Sequence, residues 1–357
     1  MTSLLNSNTP IERGERADIA FFDPTSYKEF DPSVAKELTE LLQKAYKHFD
    51  QVYEAFKETK ISPDRTSKPQ LDAAYQLKGV FYDEKNFPFG FVASKNSNND
   101  VFIIFRGTKT FAEWFKDANI PLVSYRDGKS QDGKILKVIG NALGLLQSPV
   151  EISKVGDFGC VAVGFRQIYV SLRDAMIEAL KSCKQSSQIF VTGHSLGGAL
   201  ATLAIPDILS NTHFNKPKQV TLYTFASPRC GDREFAIKFQ GTEVRHWRIA
   251  NTEDFVTMIP FPTGNVFQPA SSETPPELDI LPEDPEANLG IGGVTGPDRN
   301  PNPLFGFIKA MYDRNKRRMP DYAHTGTPVY FTIHAAALER HHNLEEIYMR
   351  GILRFLQ

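Results

Sequence analysis

Long apolar runs are missing from this chain of 357 residues. Nothing approaches the roughly 18 consecutive apolar residues that a membrane-spanning helix needs. Charge of one sign is missing too: 41 Lys and Arg stand against 42 Asp and Glu, a net charge of −1, which gives no electrostatic pull toward nucleic acid. Cysteine is scarce. Cys160, Cys183 and Cys230 are odd in number and far apart, so they offer neither a disulfide framework nor a metal-ligand spacing. The first ten residues are polar and lack the charged-then-apolar pattern of a signal peptide. No phosphate-binding glycine loop, nucleotide fingerprint or metal-ligand cluster is visible in the sequence. These absences set the expectation of a soluble protein, cytoplasmic or peripheral to a membrane, working without metal or cofactor. They leave the oligomeric state open.

Apolar bulk is abundant: 41% of the residues are hydrophobic and 27 are Phe, enough for a large core. After a polar start, Asp31-Pro32-Ser33 reads as a helix N-cap with proline at the first helical position. Val34, Leu38, Leu41, Ala45, Phe49, Val52 and Phe56 follow at helical spacing, with Leu42, Tyr46 and Tyr53 widening the stripe. This predicts an amphipathic helix over about 31–58. Strand-like runs cover 77–82, 89–93 and 101–105, and the last is apolar throughout, as a strand covered on both faces should be. A helix is expected from Gly164 to Leu180, and strands at 220–225, 244–249 and 328–333. A terminal helix is expected over 343–355, with Leu344, Ile347, Tyr348, Ile352 and Phe355 on one face. Residues 267–302 are acidic and rich in proline and glycine, and read as a surface insertion. Alternating strands and helices predict one α/β domain over 1–357, with a mostly parallel central sheet and helices on both faces.

The most informative stretch is Ile189-Phe190-Val191-Thr192-Gly193-His194-Ser195-Leu196-Gly197-Gly198-Ala199-Leu200-Ala201. A short β-prone segment runs through G-x-S-x-G into an Ala/Leu-rich helix, the context that makes the pentapeptide a nucleophile elbow. So sharp a turn tolerates only small neighbours, hence Gly193 and Gly197. Pro206 falls within the helical pattern and is expected to kink or end the helix near Ile205.

A serine hydroxyl needs a base, usually histidine, oriented by a carboxylate. In sheets with this elbow the chain order is Ser, acid, His. Asp254, just past a predicted strand, is the favoured acid; Glu253 is its neighbour and Asp232 sits in a similar position after the preceding strand. Downstream lie His324, His334, His341 and His342, which spacing alone does not separate.

Six ordered blocks resemble the class 3 lipases, the fungal-lipase-like branch of the α/β-hydrolases. They are Phe105-Arg106-Gly107-Thr108 with Trp114 and Asp117 behind it; Gly164-Phe165; Gly193-His194-Ser195-Leu196-Gly197-Gly198; Thr224-Phe225-Ala226-Ser227-Pro228-Arg229-Cys230-Gly231-Asp232; Asn251-Thr252-Glu253-Asp254-Phe255-Val256 with Pro260; and His324-Thr325-Gly326 followed by His342-Asn343-Leu344-Glu345. The resemblance implies an α/β-hydrolase fold and the hydrolysis of lipid carboxylic esters. It implies Ser195 as nucleophile, Asp254 as orienting acid, His342 as base, and oxyanion-hole N–H groups from Thr108 and Leu196, with His324 structural. It also implies a lid that moves at a lipid interface; residues 111–146 and the amphipathic stretch 304–318 are the segments that would serve. The chain departs from the family at Ala162, where a histidine is usual, and at Ile347, where an aromatic is usual, which keeps His341 as the alternative base. An esterase of soluble short-chain esters and a catalytically silent lipid-binding scaffold are the competing readings.

Overall fold

The computed structural model describes residues 29–108, 122–129, 150–260, 321–335 and 338–356. Helix α1 (Pro32–Thr59) starts as its sequence demands: Asp31 Oδ1 accepts the N–H groups of Ser33 and Val34 at 2.8 and 3.3 Å, ahead of which Pro32 has no donor to leave orphaned. Eleven strands follow among the described residues: β1 (Tyr75–Tyr82), β2 (Pro88–Lys95), β3 (Val101–Phe105), β4 (Leu122–Ser124), β5 (Cys160–Ala162), β6 (Ile189–His194), β7 (Val220–Phe225), β8 (Gly231–Asp232), β9 (Arg245–Asn251), β10 (Tyr322–Ala323) and β11 (Thr327–Phe331). Between and after them lie α2 (Val163–Lys181), α3 (Leu196–Asn211), α4 (Arg233–Gln240) and α5 (Arg350–Phe355).

The main sheet has the order β1-β2-β3-β6-β7-β9-β11. The first two pairings are antiparallel, and every pairing from β3 outward is parallel. Strand β3 shows why its sequence does not alternate. Val101, Ile103 and Phe105 pack on the face covered by α2 and α3, while Phe102 and Ile104 pack on the face covered by α1 and the C-terminal helical segment. This is an α/β-hydrolase architecture, mostly parallel and covered on both sides. A small antiparallel sheet, β10-β8-β5-β4, lies beside it.

Three expectations differ from what is observed. Helix α3 does not end near Ile205, one of the two outcomes expected of Pro206; it continues through Pro206 to Asn211. The segment beyond the proline is held from outside the helix, because Asp207 is fully buried in bonds to α2 and Ile208 is buried in the core. Asp232 is not a free carboxylate at a strand end: it caps α4, accepting the Phe235 N–H at 2.7 Å, and also accepts the Cys160 N–H at 3.1 Å. The terminal helix is not one regular element, since Leu344–Met349 is a π-helix that passes into α5. Of the stretch 111–146, residues 122–129 are described: β4 pairs with β5, and Tyr125 beside it is fully buried with its hydroxyl bonded to Leu203 O at 2.6 Å. The rest of that stretch, the insertion at 267–302 and the segment 304–318 lie outside the described residues. All three cysteines are buried, and none forms a disulfide. Among the described residues no helix is long and apolar enough to cross a membrane, and no group of metal-ligating side chains is found.

Candidate active site

The ends of β3, β6, β9 and β11 converge at one edge of the sheet, the carboxyl edge where open α/β sheets place their ligands. Strand β6 ends at His194, and Ser195 turns the chain into α3 with φ 61° and ψ −130°. Positive φ is strained for a residue with a Cβ, and the sharpness of the turn is what produces it. The turn closes because its glycines carry no side chain: a Cβ on Gly193 would stand 1.9 Å from Gly197 O, and one on Gly197 would stand 2.2 Å from Phe105 O. The same contacts press the elbow against the end of β3. A Cβ on Gly107 would meet Ser195 Cβ at 2.8 Å, so Gly107-Thr108 lies directly beside the serine. Leu196 opens α3, and its N–H is among those that a helix leaves without an intrahelical acceptor. The positive end of the α3 dipole therefore points at the serine. The Ser195 and Thr108 hydroxyl oxygens are both buried, with no hydrogen-bond partner among the described residues.

Past β9, Asp254 is buried and caps the short 3-10 turn Phe255–Met258, with Oδ1 accepting the Val256 N–H at 3.0 Å. Its other oxygen, Oδ2, lies 2.8 Å from His342 Nδ1 and accepts the Tyr348 hydroxyl at 2.7 Å. That hydroxyl in turn accepts the Asn251 N–H at 3.1 Å. Burial pushes the Tyr348 phenol well above its ordinary range, with the Asp254 charge adding to it, so the phenol stays a donor. The π-helix matters here. The family resemblance places an aromatic at 347; this chain has Ile347 and puts Tyr one residue later, and that tyrosine sits within the wider π turn that follows His342.

The other histidines are engaged elsewhere. His341 Nε2 accepts the Ala335 N–H at 2.8 Å, and His324 Nε2 lies 2.7 Å from Thr257 O. His334 Nδ1 stands 3.7 Å from Glu253, whose carboxyl is pushed up by burial. His324 and His246 are both held neutral by burial with Arg248 nearby; His246 falls to about 3. His342 thus meets Asp254, whereas His341, His324 and His334 do not. The structure does not bring Ser195 Oγ into a hydrogen bond with His342, a contact that commonly tightens only when substrate is bound.

Sequence reasoning read Tyr46 and Tyr348 only as members of apolar helix faces. The signal was available in each case: a hydroxyl on a buried face needs a partner. The partner was not legible, because Tyr348 reaches 94 residues back along the chain to Asp254.

Residues 102–264 match the family model described as lipase (class 3). This stretch, a little under half of the chain, is similar to that family. The class 3 match contains Thr108, Ser195, Leu196 and Asp254 and stops short of His342. A chloroplastic phospholipase A(1), DAD1, of Arabidopsis thaliana is 34% identical over 178 residues, 47% of this chain and 35% of its own length. The chloroplastic galactolipase DONGLE of the same plant is 26% identical over 275 residues, 72% of this chain and 55% of its own. A lipase of Rhizomucor miehei is 29% identical over 172 residues, 47% of this chain and 40% of its own. The chain thus spans between about a third and just over half of the length of these relatives. Two of them are chloroplastic, which lends no support to a cytoplasmic setting. Among solved structures, a lipase from Rhizopus microsporus var. chinensis superposes with a TM-score of 0.45 at 19% identity, covering 71% of this chain and 75% of that one.

Proposed function

We propose that this protein hydrolyses carboxylic esters of lipids through a covalent acyl-enzyme. Ser195 is the nucleophile, His342 the general base and Asp254 the carboxylate that orients it. The observation that carries this reading is the 2.8 Å contact between His342 Nδ1 and Asp254 Oδ2, beside a serine held at positive φ. With Nδ1–H donated to Asp254, His342 Nε2 is left as the acceptor that takes the Ser195 proton as Oγ attacks the ester carbonyl. The negative charge forms on the carbonyl oxygen, where the N–H groups of Leu196 and Thr108 and the Thr108 hydroxyl would receive it. His342 then passes its proton to the departing alcohol. Water repeats the sequence on the acyl-enzyme and releases the acid.

The names of the relatives favour acylglycerols or polar glycerolipids, the phospholipid and galactolipid classes, as substrates. Ser195 is fully buried, so the reading includes an opening step before a lipid reaches Oγ, in contact with a lipid surface. A fluorophosphonate probe, presented with and without emulsified lipid, tests it. The expected result is covalent labelling at Ser195 and none in Ser195→Ala, with ester hydrolysis lost in the variant by about 10⁴-fold or more. Turnover retained in Ser195→Ala above a few per cent would sink the assignment. Hydrolysis of short soluble esters without stimulation by an interface would move the substrate class to soluble esters. A wild-type protein that neither labels nor turns over any ester would leave the binding scaffold.

A further inference from the structure

Behind the serine, three elements that are far apart in sequence meet through one tyrosine. Tyr46 projects from α1 toward the carboxyl edge of the sheet. Its oxygen accepts the Gly107 N–H at 2.9 Å, from the turn that follows β3. The same oxygen lies 2.8 Å from His194 Nδ1, on the residue that precedes the serine. His194 Nε2 lies 3.0 Å from the main-chain oxygen of His342. The rings of His194 and His342 stand 4.8 Å apart, inclined by 34°.

Only one arrangement of protons satisfies all three bonds with a neutral imidazole. The Gly107 N–H can only donate, so the Tyr46 oxygen accepts from it. The His342 carbonyl can only accept, so His194 carries its proton on Nε2. His194 Nδ1 is then an acceptor, and the Tyr46 O–H donates to it. Burial supports both states: it holds His194 well below its ordinary range, with His342 nearby acting in the same direction, and it raises the Tyr46 phenol.

We propose that Tyr46 is a positioning residue for the reaction: through the neutral Nε2–H tautomer of His194 it sets the main chain of the base His342, and through Gly107 it sets the turn that carries Thr108. This rests on the reading of Ser195 and His342 given above. One hydroxyl then couples the oxyanion side of the site to the base side. A neutral His194 also leaves the adjacent His342 ring as the only one of the pair to carry a positive charge during turnover. A side chain that served packing alone would not need its oxygen here, because the phenyl ring fills the same space.

Nitrogen-15 spectra of histidine-labelled wild-type protein test the tautomer directly, with His194 assigned by its loss in His194→Gln. The expected result is a neutral ring protonated on Nε2 between pH 6 and 8; a ring protonated on Nδ1, or charged, overturns the proposal. In Tyr46→Phe, kcat is expected to fall about 10- to 100-fold with KM within about twofold, the size of effect that small misplacement of catalytic groups produces. A folded Tyr46→Phe protein with kcat within about twofold of wild type also overturns it. If Tyr46→Phe does not fold, His194→Gln and His194→Ala decide: the glutamine retains a donor for the His342 carbonyl and is expected to keep about ten times the kcat of the alanine variant, and equal rates count against the proposal. Fluorophosphonate labelling of the wild type separates the two claims. Absence of label at Ser195 removes the functional reading and this proposal with it, whereas a labelled, active wild type that fails the Tyr46 and His194 tests removes only the positioning role.

Discussion

Two fully enclosed carboxylates, Asp207 and Asp254, are held in nearly the same way and end on different partners. Each takes a tyrosine hydroxyl on Oδ2, from Tyr169 at 2.6 Å and from Tyr348 at 2.7 Å. Each takes an N–H on Oδ1, from the Asn211 side chain at 2.7 Å and from the Val256 main chain at 3.0 Å. Burial raises both phenols well above their ordinary range, with the adjacent carboxylate adding to it. The last partner differs. Asp207 receives Arg173 on both oxygens, Nε at 2.6 Å and Nη2 at 3.0 Å, a permanent charge in a bidentate grip. Asp254 receives His342 Nδ1, an imidazole nitrogen in place of a guanidinium. A permanent cation turns a buried carboxylate into a brace between α2 and α3. An imidazole leaves the carboxylate ready to stabilise a charge that appears only when the base takes a proton. The first two bonds do not distinguish the two sites; the last partner does.

Neutralising each carboxylate in turn has the largest expected effect. Asp254→Asn should lower kcat by about 10⁴-fold, because an amide favours the wrong tautomer of the histidine, while the melting temperature stays within a few degrees. Asp207→Asn should do the reverse, losing about 1.5–3 kcal/mol of stability because the half-buried Arg173 loses its bidentate carboxylate. Its kcat per folded molecule should stay at the wild-type value. Steady-state kinetics and urea unfolding on both variants check the pair, and a stability loss at Asp254 equal to that at Asp207 would remove the distinction.

Removing the tyrosine hydroxyls is a smaller perturbation. Tyr169→Phe should cost about 1–2 kcal/mol of stability and leave kcat alone. Tyr348→Phe should lower kcat about tenfold, since it releases one of two donors that fix Asp254 Oδ2 and leaves the Asn251 N–H without its acceptor. The same two assays read both variants.

A separate effect is in the pH dependence of stability. His246 is buried and falls to about 3 from 6.5, with burial the main cause and Arg248 the second. The unfolded chain therefore binds more protons between those values. Its contribution is fully present above about pH 6.5 and is lost as the pH falls toward 3, with a limiting slope of about 1.4 kcal/mol per pH unit. Chemical denaturation between pH 7 and 4 should show this slope reduced in His246→Asn and unchanged in Asp207→Asn. An unchanged slope in His246→Asn would place the acid sensitivity in other groups.

Local elements were legible because their causes are local. The cap at Asp31-Pro32, the unalternating run 101–105 and the Gly-x-Ser-x-Gly turn each depend on residues within a few positions of one another, and the structure places a helix, a buried strand and a strained elbow there. Pro206 does not end its helix, because Asp207 and Ile208 just beyond it are held by contacts outside the helix, a tertiary gain that outweighs the local cost of proline. Asp232 looked like a second strand-end acid until α4 was seen to begin on it. The break in the terminal helix was not legible either, since an apolar face fits a π turn as readily as an α-helix.

The sequence by itself determined that a serine would be forced into a strained turn between strand and helix, because glycine spacing and β-to-α periodicity act over fewer than a dozen residues. It also narrowed the base to histidines that follow the acid in the chain. Tertiary structure decided which histidine meets Asp254. His341 and His342 are adjacent, and their side chains leave a 3-10 turn in different directions, one to the Ala335 N–H and the other to the carboxylate. It decided as well that Tyr46 and Tyr348, read as parts of apolar stripes, carry their hydroxyls into the site. The partners of those hydroxyls lie between 61 and 148 residues away, and only the packing of helices on both faces of one sheet brings them within 3.1 Å.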